Sequence, residues 1–167
     1  MPTIATLAAV VAAAAGAQHG GNGIVDYGYR YAANCPGAGI AERVDRWQMY
    51  ECNCTSYVAW ALAANRQRTD WFIPGSMNAE NWPHVARLAG IATGTKPRVG
   101  AVAVWPHSSP FGHVAYVVAL DPGGRFDVAE YNLPGAGGET FAFDIRGDVS
   151  PIGATFIYVP HAPRAQR

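Results

Sequence analysis

Residues 50–66, YECNCTSYVAWALAANR, carry the clearest helix pattern of the N-terminal half. Good helix formers, with apolar residues at helical spacing, predict an α-helix over residues 55–65 that Asn53 or Thr55 would cap. Cys54 then lies at the N-terminus of this helix, where aligned amide dipoles and free N–H groups favour a thiolate over a thiol. The alternative for such a residue is a small buried hydrophobe.

The sequence that follows predicts one more helix and then a run of strands. Residues 79–90, AENWPHVARLAG, favour a second helix with Pro83 in its first turn and Gly90 as its stop. Segments typical of strands then alternate with short turns at 99–105, 113–120, 125–132, 139–145 and 154–160. Helices followed by an antiparallel meander indicate an α+β domain, with N-terminal helices packed on a five- to six-stranded antiparallel sheet.

A nucleophilic thiolate needs a histidine to carry its proton, and His113 opens the most apolar of these strands. If the turn DPGG at 121–124 closes a hairpin with an even-length loop, odd residues of one strand face even residues of the next. His113 would then share a face with Glu130 and Asn132, either of which could orient the imidazole. An odd-length loop would break this argument, and a histidine at a strand end also suits a purely structural role.

The composition is that of a globular domain rather than a nucleic-acid-binding one. Hydrophobic residues make up 50% of the 167-residue chain and charged residues 14%, which suits one domain with a substantial core. Twelve basic and twelve acidic side chains cancel, so no basic surface indicates nucleic acid as a partner.

The sequence divides into an Ala-rich apolar segment, residues 1–17, a folded domain, residues 18–160, and a short tail, residues 161–167. The first segment fits either a signal peptide or a helix that docks on a partner, such as a virion or wall protein. Its apolar run is too short to predict a stable membrane span.

Five segments resemble the CHAP domain, the cysteine, histidine-dependent amidohydrolase/peptidase family. In the family's order they read NCTSYVAWAL, NAENW, VGAVAVW, GHVAYVVAL and VAEYN, and the similarity extends over residues 45–160. The resemblance implies a papain-like α+β fold that cleaves amide bonds of bacterial peptidoglycan. It places Cys54 on the nucleophile, His113 on the base, Glu130 on the acid that orients the histidine, and Asn132 on the polar residue that often accompanies it.

Two departures from the family pattern concern the oxyanion hole and metals. The family commonly has Gln directly before the nucleophile, where this chain has the shorter Asn53; Gln48 is a second candidate donor, or a solvated side chain. Some phage members carry an Asp-rich calcium loop before the cysteine, but residues 37–51 have no such ligand run. The neighbouring cysteines lack partners for a four-ligand zinc site, so we expect no metal and no cofactor.

With Cys54 as nucleophile, the chain has two further cysteines, Cys35 and Cys52. A disulfide between them would close a loop worth roughly 3 kcal/mol of stability in an exported protein. In a reducing cytosol both would be free thiols.

The expected function is therefore a peptidoglycan hydrolase with a Cys-His-Glu thiol mechanism, either an amidase or an endopeptidase. It would act as a phage lysin or virion-associated lysin, or as a secreted bacterial enzyme, and be located at the cell wall, outside the cell or in a virion. The alternative is a non-catalytic wall-binding or virion assembly module on the same fold.

Overall fold

The computed structural model describes residues 28–35, 43–74, 76–133 and 142–163, so the expectations for residues 1–17 lie outside the described residues. Its elements are the helices α1 (Cys54–Ala64) and α2 (Trp82–Leu88), three short 3-10 turns (Ala32–Asn34, Ala79–Asn81, Pro122–Gly124), and the strands β1 (Thr93–Gly94), β2 (Val102–Trp105), β3 (His113–Leu120), β4 (Phe126–Tyr131), β5 (Phe143–Val149) and β6 (Thr155–Ile157).

Helix α1 begins one residue earlier than the sequence predicts and is buried on nearly every side. Asn53 is the N-cap: it is extended, and its carbonyl accepts a hydrogen bond from the amide of Tyr57 at 3.0 Å. At the other end the side chain of Asn65 donates to the carbonyl of Ala61 at 2.8 Å. A helix that is apolar all round is a core element, and α1 packs mainly against β3 and β4.

The second predicted helix is present in two pieces, a 3-10 turn at Ala79–Asn81 and then α2. Pro83 lies in the first turn of α2, and Gly90 adopts a φ of 70°, the left-handed conformation that ends many helices. The indole N–H of Trp82, a fully buried residue, donates to the carbonyl of Ser76 at 2.7 Å and fixes the start of the helix.

The sheet is antiparallel, with strand order β1-β6-β2-β3-β4-β5. Strands β2 to β5 form the predicted meander, whereas β6 returns to pair with both β2 and β1. The α+β class is confirmed. Two details differ: the two-residue β1 is too short for sequence patterns to reveal, and β5 continues through the polar residues 146–148, which an edge strand tolerates.

Both faces of the sheet are covered. One face packs against the helices and forms the larger core, which includes Val58, Leu62, Trp82, Val104, Val114 and Ile157. The opposite face encloses a smaller core of Ala103, Ala115, Val117, Phe126, Val128 and Phe156. His113, Ala115 and Val117 lie at every second position of β3 and therefore on the same face. His113 is thus the first residue of the row that forms the smaller core, at the end of the sheet.

The hairpin of β3 and β4 has an odd loop, and a β-bulge compensates for it. Leu120 pairs with Phe126, which leaves five residues between them, so the even-length loop assumed from the sequence is wrong. One extra residue, Val118, lies between the pairs Val117–Val128 and Ala119–Asp127. Between the turn and the bulge, odd residues of β3 face odd residues of β4. Beyond the bulge, odd residues face even ones, and His113 lies on the same face as Glu130.

The segment before α1 is fastened to the domain by a disulfide and by polar contacts. Cys35 and Cys52 are bonded, with 5.4 Å between their Cα atoms. The hydroxyl of Tyr29 contacts Ser56 and accepts a hydrogen bond from the amide of Cys52 at 3.2 Å. These contacts hold the residues directly ahead of Cys54 against the first turn of α1.

We predict that the double substitution Cys35→Ser, Cys52→Ser lowers the free energy of unfolding by roughly 3 kcal/mol, because the unfolded chain is no longer constrained by the closed loop. Urea denaturation under non-reducing conditions measures this change. Wild-type protein with a reductant is the matched control and should unfold at the same urea concentration as the variant. Equal stability of the reduced and oxidised wild type would contradict the prediction.

Candidate active site

The thiol of Cys54 lies at the first residue of α1, is 7% exposed, and is the free cysteine of the described residues. The chain folds this way locally because Asn53 caps the helix and the Cys35–Cys52 bond anchors the preceding turn. The sulfur faces a groove of about 540 Å³. A helix N-terminus that opens into a groove is a position where a thiolate is stabilised and reachable.

His113 lies between Cys54 and Glu130. Its Nε2 atom is 2.8 Å from Oε2 of Glu130, and the thiol of Cys54 is close enough to the imidazole to affect its pKa. His113 is 4% exposed and Glu130 is fully buried. The structure therefore brings together the three residues that the sequence and the family resemblance single out.

The pKa of His113 is raised to about 9. Burial on its own would lower this pKa, but the hydrogen bonds and charges of Cys54 and Glu130 outweigh it. The imidazole is therefore protonated near neutral pH and loses its proton as the pH rises through about 9. A protonated imidazole beside a thiol and a carboxylate is the arrangement that a cysteine nucleophile requires.

Arg146 is a residue of the site that sequence reasoning missed. Its Nε atom donates to Oε1 of Glu130 at 2.8 Å and an Nη atom donates to Oε2 at 3.0 Å. Burial would raise the pKa of Glu130, but the hydrogen bonds and charges of His113 and Arg146 lower it. The guanidinium also lies 5.0 Å from the ring centroid of Trp105, whose ring stacks on that of His113 at 6.0 Å. The sequence did not single out Arg146 because the predicted strand ended one residue earlier, at Ile145.

Asn132 contacts the residue that caps the helix. It follows β4 in a left-handed conformation, with a φ of 56°, which asparagine tolerates better than most residues. Its Nδ2 atom donates to Oδ1 of Asn53 at 3.1 Å, and the same oxygen accepts from the backbone amide of Cys54 at 2.8 Å. The backbone amide of Cys54, at the start of α1, is thus hydrogen-bonded to Asn53 in this structure.

Gln48, the other candidate oxyanion donor, is not brought to the site. It is exposed, adopts a φ of 63° in the tight turn between Asp45 and Met49, and does not line the groove. The turn is fixed by the carboxylate of Asp45, which accepts hydrogen bonds from the amides of Trp47 and Met49 at 2.8 and 3.0 Å.

The lining of the groove includes Tyr50 and a loop, residues 108–112. Phe111 in this loop is 64% exposed. The loop lies tightly on the 3-10 turn at Ala79–Asn81: the amide of Glu80 donates to the carbonyl of Phe111, and a Cβ atom on Gly112 would lie 2.6 Å from that amide nitrogen. The described lining residues are Tyr50, Asn53, Cys54, Met77, Asn78, Ala79, Ser108, Ser109, Pro110, Phe111, Gly112, His113, Asn132 and Leu133.

Within the described ranges, no group of three or more His, Cys, Asp or Glu side chains is arranged to hold a metal ion. Among the same residues, no helix has the length and apolar character needed to cross a membrane.

Comparison with known proteins gives a family match over the site. The model of the CHAP domain matches residues 44–132, more than half of the chain. The chain belongs to the CHAP domain family. This CHAP domain is similar to the probable autolysin LDP of Staphylococcus aureus (strain NCTC 8325 / PS 47), with 36% identity over 83 residues that cover 50% of the chain and 28% of the relative.

A crystal structure of an N-acetylmuramoyl-L-alanine amidase from Staphylococcus aureus shares the fold of this CHAP domain. The TM-score is 0.53 at 20% sequence identity, and the match covers 66% of this chain and 31% of that one. The chain therefore spans less than a third of the length of each of these relatives.

We predict that Glu130→Gln lowers the pKa of His113 by roughly one unit or more, because the imidazolium loses its counter-charge while a hydrogen-bond acceptor remains. An NMR titration of His113 measures the shift. The raised pKa of His113 contributes stability that is present below the unfolded value of about 6.5 and is lost as the pH rises through about 9, and this loss should be smaller in the variant.

Asn132→Ala is the control, since it removes a polar side chain of the same site without removing a charge. Its His113 pKa should stay close to the wild-type value. A larger decrease in Asn132→Ala than in Glu130→Gln would reverse the roles of the two residues.

Proposed function

We propose that this chain hydrolyses amide bonds of bacterial peptidoglycan through a Cys54–His113–Glu130 thiol mechanism. The observation that carries the proposal is the imidazole of His113, held between a buried thiol and a fully buried carboxylate at the wall of an open groove. A non-catalytic wall-binding module would not need this arrangement. The names of the relatives, an autolysin and an amidase, support the choice of peptidoglycan as substrate.

The reaction begins with attack of the Cys54 sulfur on a carbonyl carbon of the wall peptide. The new S–C bond forms as the carbonyl π pair moves to oxygen. When the tetrahedral intermediate collapses, the C–N bond breaks and His113 gives its proton to the leaving amine. Neutral His113 then takes a proton from water, which attacks the thioester and releases the acyl group as a carboxylic acid with regeneration of the thiolate.

The oxyanion would be stabilised by the backbone amide of Cys54 and by the side chain of Asn53. The hydrogen bonds at Asn53 from Cys54 and Asn132 both use its oxygen, which leaves its Nδ2 group as the donor it offers to a substrate. The substrate oxygen would replace the Asn53 oxygen at the Cys54 amide. Asn132 then serves to set the rotation of the Asn53 side chain.

The groove supports a neutral substrate segment next to the scissile bond. Apart from the Cys54–His113 pair, the described residues that line it carry no charged side chain, and the exposed ring of Phe111 lies at its rim. Both the amide between sugar and L-Ala and an amide within the peptide fit this requirement. We propose that the enzyme acts at the cell wall, either exported from a bacterium or as part of a phage lysis system.

We predict that Cys54→Ala and His113→Ala each lower hydrolysis of purified peptidoglycan by roughly a thousand-fold or more, because each removes an essential member of one catalytic unit. The loss of wall turbidity and the appearance of new amino groups measure turnover. His84→Ala, at an exposed histidine of α2, is the control and should retain wild-type activity. Activity of Cys54→Ala close to wild type would contradict the proposed mechanism.

We predict that Asn53→Asp lowers kcat by roughly a hundred-fold with little change in KM, because aspartate still caps the helix but cannot donate to the oxyanion. Asn53→Gln restores a donor and should recover most of the activity. Steady-state kinetics of the two variants, with melting curves to show that both are folded, separate the two roles of this residue. Equal kcat in Asn53→Asp and wild type would exclude Asn53 from the oxyanion hole.

A further inference from the structure

Arg146 is a charged residue of the site that the proposed mechanism does not use. It lies on β5, and its side chain is 31% exposed, whereas the carboxylate that it contacts is fully buried. Its two hydrogen bonds occupy both oxygens of Glu130, at 2.8 and 3.0 Å. A guanidinium that reaches a buried carboxylate with a bidentate contact is more than a surface ion pair.

We propose that Arg146 is a positioning residue that keeps Glu130 ionised and fixes the rotation of its carboxylate. Glu130 can then orient His113 and stabilise its protonated form. The part of the proposal that concerns turnover rests on the proposed function. The part that concerns the thiolate–imidazolium pair does not, because a small thiol reagent can test it without a wall substrate.

The charge state of Glu130 depends on the groups that face it. His113 approaches from β3, and Arg146 and Asp144 approach from β5, while Cys54 contacts His113 from α1. Asp144 pairs directly across the strands with Glu130, and burial together with the nearby charge of Glu130 raises the pKa of Asp144. Arg146 is the permanent cation of this group, so it keeps a buried carboxylate charged even when the imidazole gives up its proton.

The rotation of the Glu130 carboxylate is fixed by its hydrogen bonds to Arg146 and His113. Oε1 is held by Nε of Arg146, and Oε2 is shared between Arg146 and Nε2 of His113. Two parallel hydrogen bonds fix the plane of the carboxylate, and that plane sets the direction from which it accepts the imidazole N–H. Trp105 supports both cations, since its ring lies 5.0 Å from the guanidinium and stacks on His113. A lysine could supply the charge but not the planar fork.

Loss of Arg146 has two opposed effects on His113. The loss of a nearby positive charge would raise the pKa of the imidazole, and the loss of an ionised, oriented Glu130 would lower it. The second effect should dominate because Glu130 contacts the ring directly at 2.8 Å, with its carboxylate between the ring and the guanidinium.

The experiment compares Arg146→Met, Arg146→Lys and a matched control, Arg125→Met. Arg125 also pairs with a carboxylate, that of Asp148, but it does so at the far end of the β3–β4 hairpin. The readouts are the pH dependence of Cys54 alkylation by iodoacetamide, the NMR titration of His113, and kcat and KM on purified peptidoglycan. The double variant Glu130→Gln, Arg146→Met removes both charges and tests whether any loss of folding in Arg146→Met comes from an unpaired Glu130.

We expect Arg146→Met to lower the pKa of His113 by roughly one unit or more and kcat by roughly a hundred-fold, with KM little changed. Arg146→Lys should keep the pKa near the wild-type value but lose roughly ten-fold in kcat, because the charge remains and the fork does not. Arg125→Met should match the wild type in all readouts. If Arg146→Met fails to fold, recovery of folding without activity in the double variant, together with the Arg146→Lys result, supports the same conclusion.

A raised or unchanged His113 pKa with wild-type kcat in Arg146→Met would overturn the proposal, as would wild-type kcat in Arg146→Lys if Arg146→Met does not fold. The proposed function fails separately: a wild-type protein that does not cleave peptidoglycan would refute it, while a shifted alkylation profile in Arg146→Met would still support the role of Arg146.

Discussion

The buried carboxylate of Glu130 is the constraint on which the rest of the site depends. A lone ionised group without solvent exposure costs several kcal/mol, so such a group persists only where cations and hydrogen-bond donors surround it. Here His113 and Arg146 supply both, from the strands on either side of β4. The pKa of the imidazole is raised and the pKa of the carboxylate is lowered for one reason: each group stabilises the charged form of the other.

The groups of the site come from one helix and from the sheet. Helix α1 supplies the sulfur and the N-terminal amide, and its position is set by burial on nearly all sides and by the segment bound through Cys52. The sheet supplies the imidazole, the carboxylate and the guanidinium from consecutive strands β3, β4 and β5. Asn53 and Asn132 join the two halves, because their hydrogen bond connects the cap of the helix to the end of β4.

The sequence predicts those features that depend on local patterns. The long strand β3, helix α1 and the order of the meander follow from hydrophobic spacing and turn residues, and the family resemblance adds the roles of Cys54, His113 and Glu130. Arg146 was not predicted. It lies in the polar part of β5, whose sequence is not typical of a strand, and it contacts Glu130 on the neighbouring strand β4. Gln48 was a candidate oxyanion donor, but it lies exposed in a left-handed turn. These differences arise where tertiary contacts, rather than local propensity, decide the outcome.

The bulge at Val118 has a consequence for how the length of this hairpin can change. A strand has two faces, and each inserted or deleted residue exchanges them. Relative to an even-length turn, the five-residue turn exchanges the faces once, and the extra residue of the bulge exchanges them a second time. The two exchanges cancel, so Glu130 lies on the same face as His113. A natural or designed hairpin with a turn one residue shorter would therefore keep this site only if the bulge were lost as well. The turn lies at the opposite end of β3 from His113, yet its length decides which residues of β4 share a face with His113.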